Sequence, residues 1–225
     1  MSAVAIMTRS PSDPRIKLRL VPSVPSEQAR RELALAFLDD IAERCAALPD
    51  VLRRVAVTPP AEGLRVHRPG WPAESIVAQR GSALGERLQH VCEDLAASGF
   101  ANIVLIGSDV PDLPVAHVEQ ALAFLREPRT AVVGPSDDGA CYLIGLTVAP
   151  GDVPDVFSAV RWESPHSEDD LCRALARVGL TVKHVRPWND VDTPHDLDQL
   201  AGRLRYAPGA APHTAEVLRR LGLIA

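Results

Sequence analysis

The chain lacks the motifs that would assign it quickly. No Gly-x-Gly-x-x-Gly, no Gly-Lys-Ser or Gly-Lys-Thr and no Gly-x-Ser-x-Gly occurs in its 225 residues. Rossmann dehydrogenase, P-loop enzyme and α/β-hydrolase readings therefore have no marker. The seven histidines form no His-x-His or His-Glu-x-x-His pattern, and the four cysteines include no Cys-x-x-Cys pair, so neither residue type suggests a zinc centre. Widely spaced cysteines read as reduced thiols. Positive charge is not in excess: the net charge is −5, which gives no broad basic surface for nucleic acid or an anionic membrane. No apolar run reaches membrane-span length, and Ala3 to Met7 is too short for a signal-peptide core. A soluble, cytoplasmic protein is the expectation. Internal repeats and low-complexity segments are absent too.

What is present is organised around Ile103-Val104-Leu105-Ile106-Gly107-Ser108-Asp109-Val110-Pro111-Asp112-Leu113-Pro114. Four apolar residues in succession predict a strand buried on both faces, as at the centre of a parallel sheet. Gly107 permits close backbone approach, the prolines stop the strand, and Asp109 falls beyond its carboxyl end, where open α/β sheets bind ligands. Asp109 could equally close the turn through its own side chain.

From the start, Ala3 to Met7 predicts a first strand, followed by a proline-broken loop with Arg9, Arg15, Lys17 and Arg19. Pro25-Ser26 opens a long helix with an apolar stripe of Ala29, Leu33, Phe37, Ile41, Cys45 and Leu48. Short strands are expected at Val55 to Val57 and Ser75 to Ala78, with an irregular stretch between them. A helix carrying Leu84, Leu88, Val91 and Leu95 is ended by Gly99. Alternation of strand and helix to about residue 130 predicts a mostly parallel sheet covered on both faces. Thr130 to Pro135 and Tyr142 to Leu146 are strands too close for a crossover helix, so an antiparallel pair enters there. A helix around Leu171 to Val178, a strand from Thr181 to Val185, a helix from Pro194 to Leu204 and a terminal helix around Ala215 to Leu221 complete the chain. Residues 1–204 are expected to form one domain, with residues 205–225 a linker and helix packed on it.

Three groups could carry chemistry. The basic loop after the first strand suits a polyphosphate whose charge grows as it leaves. Asp109 is the second. The third is Trp188-Asn189-Asp190-Val191-Asp192-Thr193-Pro194-His195-Asp196-Leu197, where Thr193, Pro194 and Asp196 make a helix start. That leaves Asp190 and Asp192, read as alternate positions of a strand end and so pointing to one side. Magnesium takes one or two carboxylates and completes its shell with phosphate and water, a demand Asp109 and Asp192 meet. Asp138, in Asp137-Asp138-Gly139, is a weaker candidate, since Asp-Gly is ordinary hairpin chemistry.

These motifs taken in order, with Leu84-Gly85-Glu86-Arg87-Leu88, Gly134-Pro135, Tyr142-Leu143-Ile144-Gly145 and Trp162, resemble the DUF2064 family of the GT-A nucleotide-diphospho-sugar transferase superfamily. The resemblance implies a GT-A-like three-layer α/β/α fold with a mostly parallel, mixed central sheet. The Ser-Asp-Val-Pro turn is also similar to phospholactate guanylyltransferases, and the Val-Asp-Thr-Pro ending to sugar-acid cytidylyltransferases. Those relatives imply a Mg²⁺ or Mn²⁺ ion on Asp109 and Asp192, with Asp190 beside them. They imply nucleotide contacts from Arg9, Lys17, Arg19 and Ser108, base contacts near Gln79 and Gly85, and catalytic roles for Lys17, Arg19 and Asp138. The expected partners are a nucleoside triphosphate or nucleoside-diphosphate sugar and a small acceptor. Leu18 replaces a threonine usual in the family, Gly139-Ala140-Cys141 replaces Gly-Gly-Tyr, and Trp162-Glu163-Ser164 replaces Trp-Ser-Thr. The last two departures fall where the acceptor is expected. Nucleotidyl transfer is the leading expectation, glycosyl transfer the alternative, and a non-catalytic nucleotide binder the third.

Overall fold

The computed structural model describes residues 1–59, 75–149 and 151–225. The expected irregular stretch between the second and third strands lies almost wholly outside them. Seven strands among the described residues form one sheet: β1 (Ser2–Arg9), β2 (Val51–Thr58), β3 (Ile76–Ala78), β4 (Asn102–Gly107), β5 (Thr130–Pro135), β6 (Cys141–Thr147) and β7 (Thr181–His184). Their spatial order is β3-β2-β1-β4-β6-β5-β7, and β6 alone runs antiparallel to its neighbours. The expected hairpin of β5 and β6 thus sits inside an otherwise parallel sheet.

Alternation along the central strands sorts side chains to two faces. Ala3, Ala5, Ile103 and Leu105 pack on α2 (Leu84–Ala97) and α4 (Ser167–Arg177). Val4, Ile6, Val104 and Ile106 pack on α1 (Glu27–Ala46) and α3 (Val115–Phe124). Covering both faces is what makes the strands continuously apolar rather than alternating. α5 (Pro194–Tyr206) and α6 (Pro212–Arg220) add a third core on the outer side of α1, around Leu33, Phe37, Leu200, Leu204 and Leu218.

Three expectations change. α1 buries more than one stripe, because Leu38 and Ala42 meet the sheet while Leu33 and Phe37 meet α5 and α6. Asp40 becomes buried on this helix and accepts hydrogen bonds from the backbone N–H groups of His213 and Thr214 at 3.0 and 2.8 Å, capping α6 from outside. β2 begins at Val51, not Val55. Arg53 and Arg54 hide the strand signal, yet they pair with Val4 and Ala5, and the Arg53 guanidinium donates to the exposed carbonyls of Ala46 and Leu48 at the end of α1. Finally, residues 185–192 are not a strand end. They run as a strap outside the sheet, tied to it by Val185 N–H on Val133 O, Trp188 N–H on Pro135 O and Val191 N–H on Asp109 O.

Candidate active site

The carboxyl ends of β1, β2, β3 and β4 open on one edge, and the strap crosses it. β4 delivers Asp109 one residue beyond Ser108, whose N–H is held by Met7 O of β1 at 3.0 Å. The loop behind Asp109 is fixed from two sides. Asp112, nearly fully buried, pairs with Arg203 of α5 at 2.6 Å, and Arg44 of α1 donates to Leu113 O at 3.2 Å. On the strap, Thr193 and Asp196 form the expected capping box and Pro194 begins α5. The 2.8 Å bond from Val191 N–H to Asp109 O then sets Asp190 and Asp192 beside Asp109.

Lys17 reaches into this junction. Its ammonium is 2.8 Å from Asp109 Oδ2 and 3.7 Å from Asp192 Oδ1, and donates to Val191 O at 2.8 Å, with its side chain only 5% exposed. The Phe37 ring lies beneath it, 5.0 Å from centroid to Nζ. Arg19 approaches Asp192 Oδ2 from outside at 2.9 Å. The two basic residues converge without the locally extended backbone that their alternate spacing suggests. Lys17 is in the left-handed region (φ 48°) and Leu18–Leu20 form a 3₁₀ turn, so the chain doubles back. A non-glycine residue holds that backbone only where surroundings over-determine it, and the three anchors of the ammonium do so. Asp109 does not close its own turn: its carboxylate takes the Lys17 ammonium and the Ser108 hydroxyl, the latter at 3.1 Å.

Negative charge exceeds what these cations balance. Burial, then the nearby carboxylates of Asp192, Asp109 and Asp138, push the Asp190 carboxyl up to about 7, against the pull of Lys17. Burial also raises Asp192, although Lys17 and Arg19 oppose the shift. No hydrogen bond or ion pair from the described residues reaches the Asp190 carboxylate. Such a set of oxygen donors suits a hard divalent cation, which would relieve the crowding.

Positive charge gathers on the other side of the edge. Arg9, at the end of β1, pairs with Asp13 at 2.8 Å, and Arg15 reaches the same carboxylate at 3.1 Å. Burial opposes the ionised form of Asp13, yet the hydrogen bonds from Arg15 and Arg9 hold its carboxyl well below the usual range. Arg87 of α2 stands close enough to Arg9 that burial and then the Arg9 charge lower its pKa. Its Nη1 donates to Ser82 O at 2.8 Å while its buried Nε has no hydrogen-bond partner. The Leu84-Gly85-Glu86-Arg87-Leu88 motif carries no role for Arg87 in its residue order. The run of residues alone does not reveal that it faces Arg9 across two loops.

The remaining candidates lie at different depths. Gln79 is buried and its amide donates to Thr8 O and Ala56 O at 3.0 and 2.6 Å, locking the ends of β1 and β2. Gly85 lets α2 approach the Phe157 carbonyl and the Trp162 indole, where a Cβ would stand 2.7 Å from each. Asp138 occupies the β5–β6 turn, accepts Ala140 N–H at 3.0 Å and contributes to the charge felt by Asp190. Gly139 completes that turn with φ +82°, and a Cβ there would overlap the Pro165 carbonyl.

With this arrangement in view, the likeness to known proteins is specific. A family model described as "Uncharacterized protein conserved in bacteria (DUF2064)" matches residues 41–164, the part that carries Asp109, Asp138 and Trp162. The chain belongs to the DUF2064 family. As a DUF2064 protein it is 27% identical over 205 residues to a phosphoenolpyruvate guanylyltransferase of Mycobacterium leprae, covering 87% of this chain and 85% of that protein. It is 26% identical over 211 residues to a phosphoenolpyruvate guanylyltransferase of Sphaerobacter thermophilus, covering 94% and 95%. Among solved structures, a protein of Desulfovibrio desulfuricans G20 named for the nucleotide-diphospho-sugar transferases superposes with a TM-score of 0.80 at 28% identity, over 98% of this chain and 95% of that one. The DUF2064 chain therefore has the mixed α/β sandwich of that group. Among its described residues no helix is long and apolar enough to cross a membrane.

Proposed function

We propose that the chain is a metal-dependent nucleotidyltransferase that moves a nucleotidyl group from a nucleoside triphosphate to a small phosphorylated or hydroxylated acceptor, releasing pyrophosphate. The observation that carries this reading is one buried ammonium held by Asp109 at 2.8 Å and Asp192 at 3.7 Å, beside an Asp190 carboxyl that burial and then the neighbouring carboxylates push up to about 7. Those three residues would hold Mg²⁺ or Mn²⁺. When bound, such an ion neutralises charge on departing phosphate oxygens. Lys17 and Arg19 bring fixed positive charge to the same place, where the leaving pyrophosphate develops its own. Arg9 and Arg87 extend that charge along the edge toward the phosphates. Asp138, on the β5–β6 turn, belongs to the acceptor side. Relatives named as phosphoenolpyruvate guanylyltransferases support nucleotidyl transfer and make GTP the first donor to test.

Glycosyl transfer from a nucleoside-diphosphate sugar is the second reading, favoured by the superposition on the Desulfovibrio protein. A non-catalytic nucleotide binder is the third, favoured by Ala140-Cys141 and Glu163-Ser164 on the acceptor side. We also propose that residues 1–204 act as one domain with residues 205–225 as its C-terminal extension, working in the cytoplasm, where triphosphates are supplied.

A thermal-shift screen of nucleoside triphosphates and sugar nucleotides, each with and without Mg²⁺ or Mn²⁺, tests the reading. A triphosphate at a hundred times its dissociation constant adds about 2.7 kcal/mol to stability, and the gain should require the metal. Stabilisation by a sugar nucleotide alone would favour the second reading.

A further inference from the structure

Glu168 and Cys172 stand one turn apart on α4 and so share a face. That face meets His184, the last residue of β7. His184 Nε2 lies 3.8 Å from Cys172 Sγ and 3.4 Å from Glu168 Oε1, and the three donor atoms all fall within 4.8 Å of one another. In a tetrahedral zinc site, bonds of about 2.3 Å to sulfur and about 2.0 Å to nitrogen or oxygen place neighbouring donors about 3.3–3.5 Å apart. The two spacings to His184 differ from these by a few tenths of an ångström, and side-chain rotation can close the Glu168–Cys172 distance, which lies within 4.8 Å.

We propose that Glu168, Cys172 and His184 form a binding site for a zinc-class transition metal, with three protein ligands and a remaining position for water or an exogenous ligand. The donor set selects the metal. Sulfur and imidazole favour zinc and its neighbours, whereas the all-oxygen group of Asp109, Asp190 and Asp192 favours magnesium or manganese. Access is open, since the His184 side chain is 47% exposed and that of Glu168 30%. The site also touches the turn that carries Asp138: Glu168 N–H donates to Gly139 O at 3.0 Å. A metal ion there would pin α4, β7 and that turn together.

Cobalt(II) titration of the whole protein, followed by absorption, tests the assignment. One equivalent should produce a thiolate-to-cobalt charge-transfer band that zinc displaces and excess Mg²⁺ leaves unchanged. Cys172→Ser should abolish the band, and His184→Gln should weaken binding by at least about tenfold. Circular dichroism checks the fold of each variant; should Cys172→Ser fail to fold, His184→Gln carries the test. Cobalt bound only by carboxylates gives no such band, so the proposed magnesium site cannot imitate the result. Absence of the band in the wild type, its loss to Mg²⁺, its survival in Cys172→Ser, or unchanged affinity in His184→Gln would overturn the proposal.

Discussion

The two sides of the carboxyl edge are opposite in charge and unlike in how they are held. On the β1–α2 side, Arg9 shares Asp13 with Arg15, while Arg87 keeps a buried Nε without a partner. On the β4–strap side, Asp109 and Asp192 hold one buried ammonium, and the Asp190 carboxyl, unpaired among the described residues, feels both of them and Asp138. The first side is made by the loop after β1 and the start of α2, the second by the turn after β4 and a strap tied to it through backbone. The difference shows why neither side is neutralised internally: each group stays under like-charge strain that a triphosphate and a divalent cation would relieve together.

The comparison can be broken most severely at Lys17, which links the sides. Lys17→Ala should lower turnover by about 10²–10³, as loss of one preorganised charge donor does, and pyrophosphate release measured beside circular dichroism would separate this from unfolding. Asp109→Asn should come next. Metal-dependent nucleotide stabilisation should fall sharply, while stability changes less, because the asparagine amide keeps a hydrogen-bond acceptor for Lys17, which also retains Asp192 and the Val191 carbonyl. A variant that loses stability and keeps its metal response would make Asp109 a structural residue. Removing charge from the other side, Arg87→Gln should raise the KM for the triphosphate on the order of tenfold with little change in kcat, the value of one charge-assisted hydrogen bond. The last effect concerns pH. The unfolded Asp190 carboxyl titrates near 3.8 and the folded one at about 7. Between these values the unfolded chain has released a proton that the folded chain keeps, so this residue costs stability as pH rises, and the cost levels off above about 7. Asp190→Asn should flatten that slope in chemical denaturation, matching the wild type in acid and exceeding it above about pH 8.

Elements that bury a continuous face were legible from residue order. β4 is the clearest, since Ile103 to Ile106 can be nothing but interior, and the Thr193–Asp196 capping box declared the start of α5. The start of β2 is hidden because Arg53 and Arg54 break its apolar run, and the Arg53 guanidinium is spent on the Ala46 and Leu48 carbonyls that only the folded chain brings near. The single stripe read on α1 divides between two partners, Leu33 and Phe37 against α5 and α6 and Ile41 and Cys45 with Leu38 and Ala42 against the sheet, a division that local periodicity does not show. In the site, Asp109 was visible because it follows the apolar run of β4, and Asp190 and Asp192 because they precede a marked helix start, but pairing was not. Lys17 meets Asp109 only after a left-handed turn, Arg87 meets Arg9 across two loops, and Glu168, Cys172 and His184 are divided between a helix and a strand.

The central claim is that the charge divided across this edge serves a leaving pyrophosphate. It is tested most directly by incubating the wild-type protein with each nucleoside triphosphate, GTP first, with Mg²⁺ and a panel of phosphorylated and hydroxylated acceptors, and measuring pyrophosphate. The account predicts metal-dependent pyrophosphate release that Lys17→Ala lowers by about 10²–10³. Release of nucleoside diphosphate from a sugar nucleotide, with no pyrophosphate from any triphosphate, would contradict it.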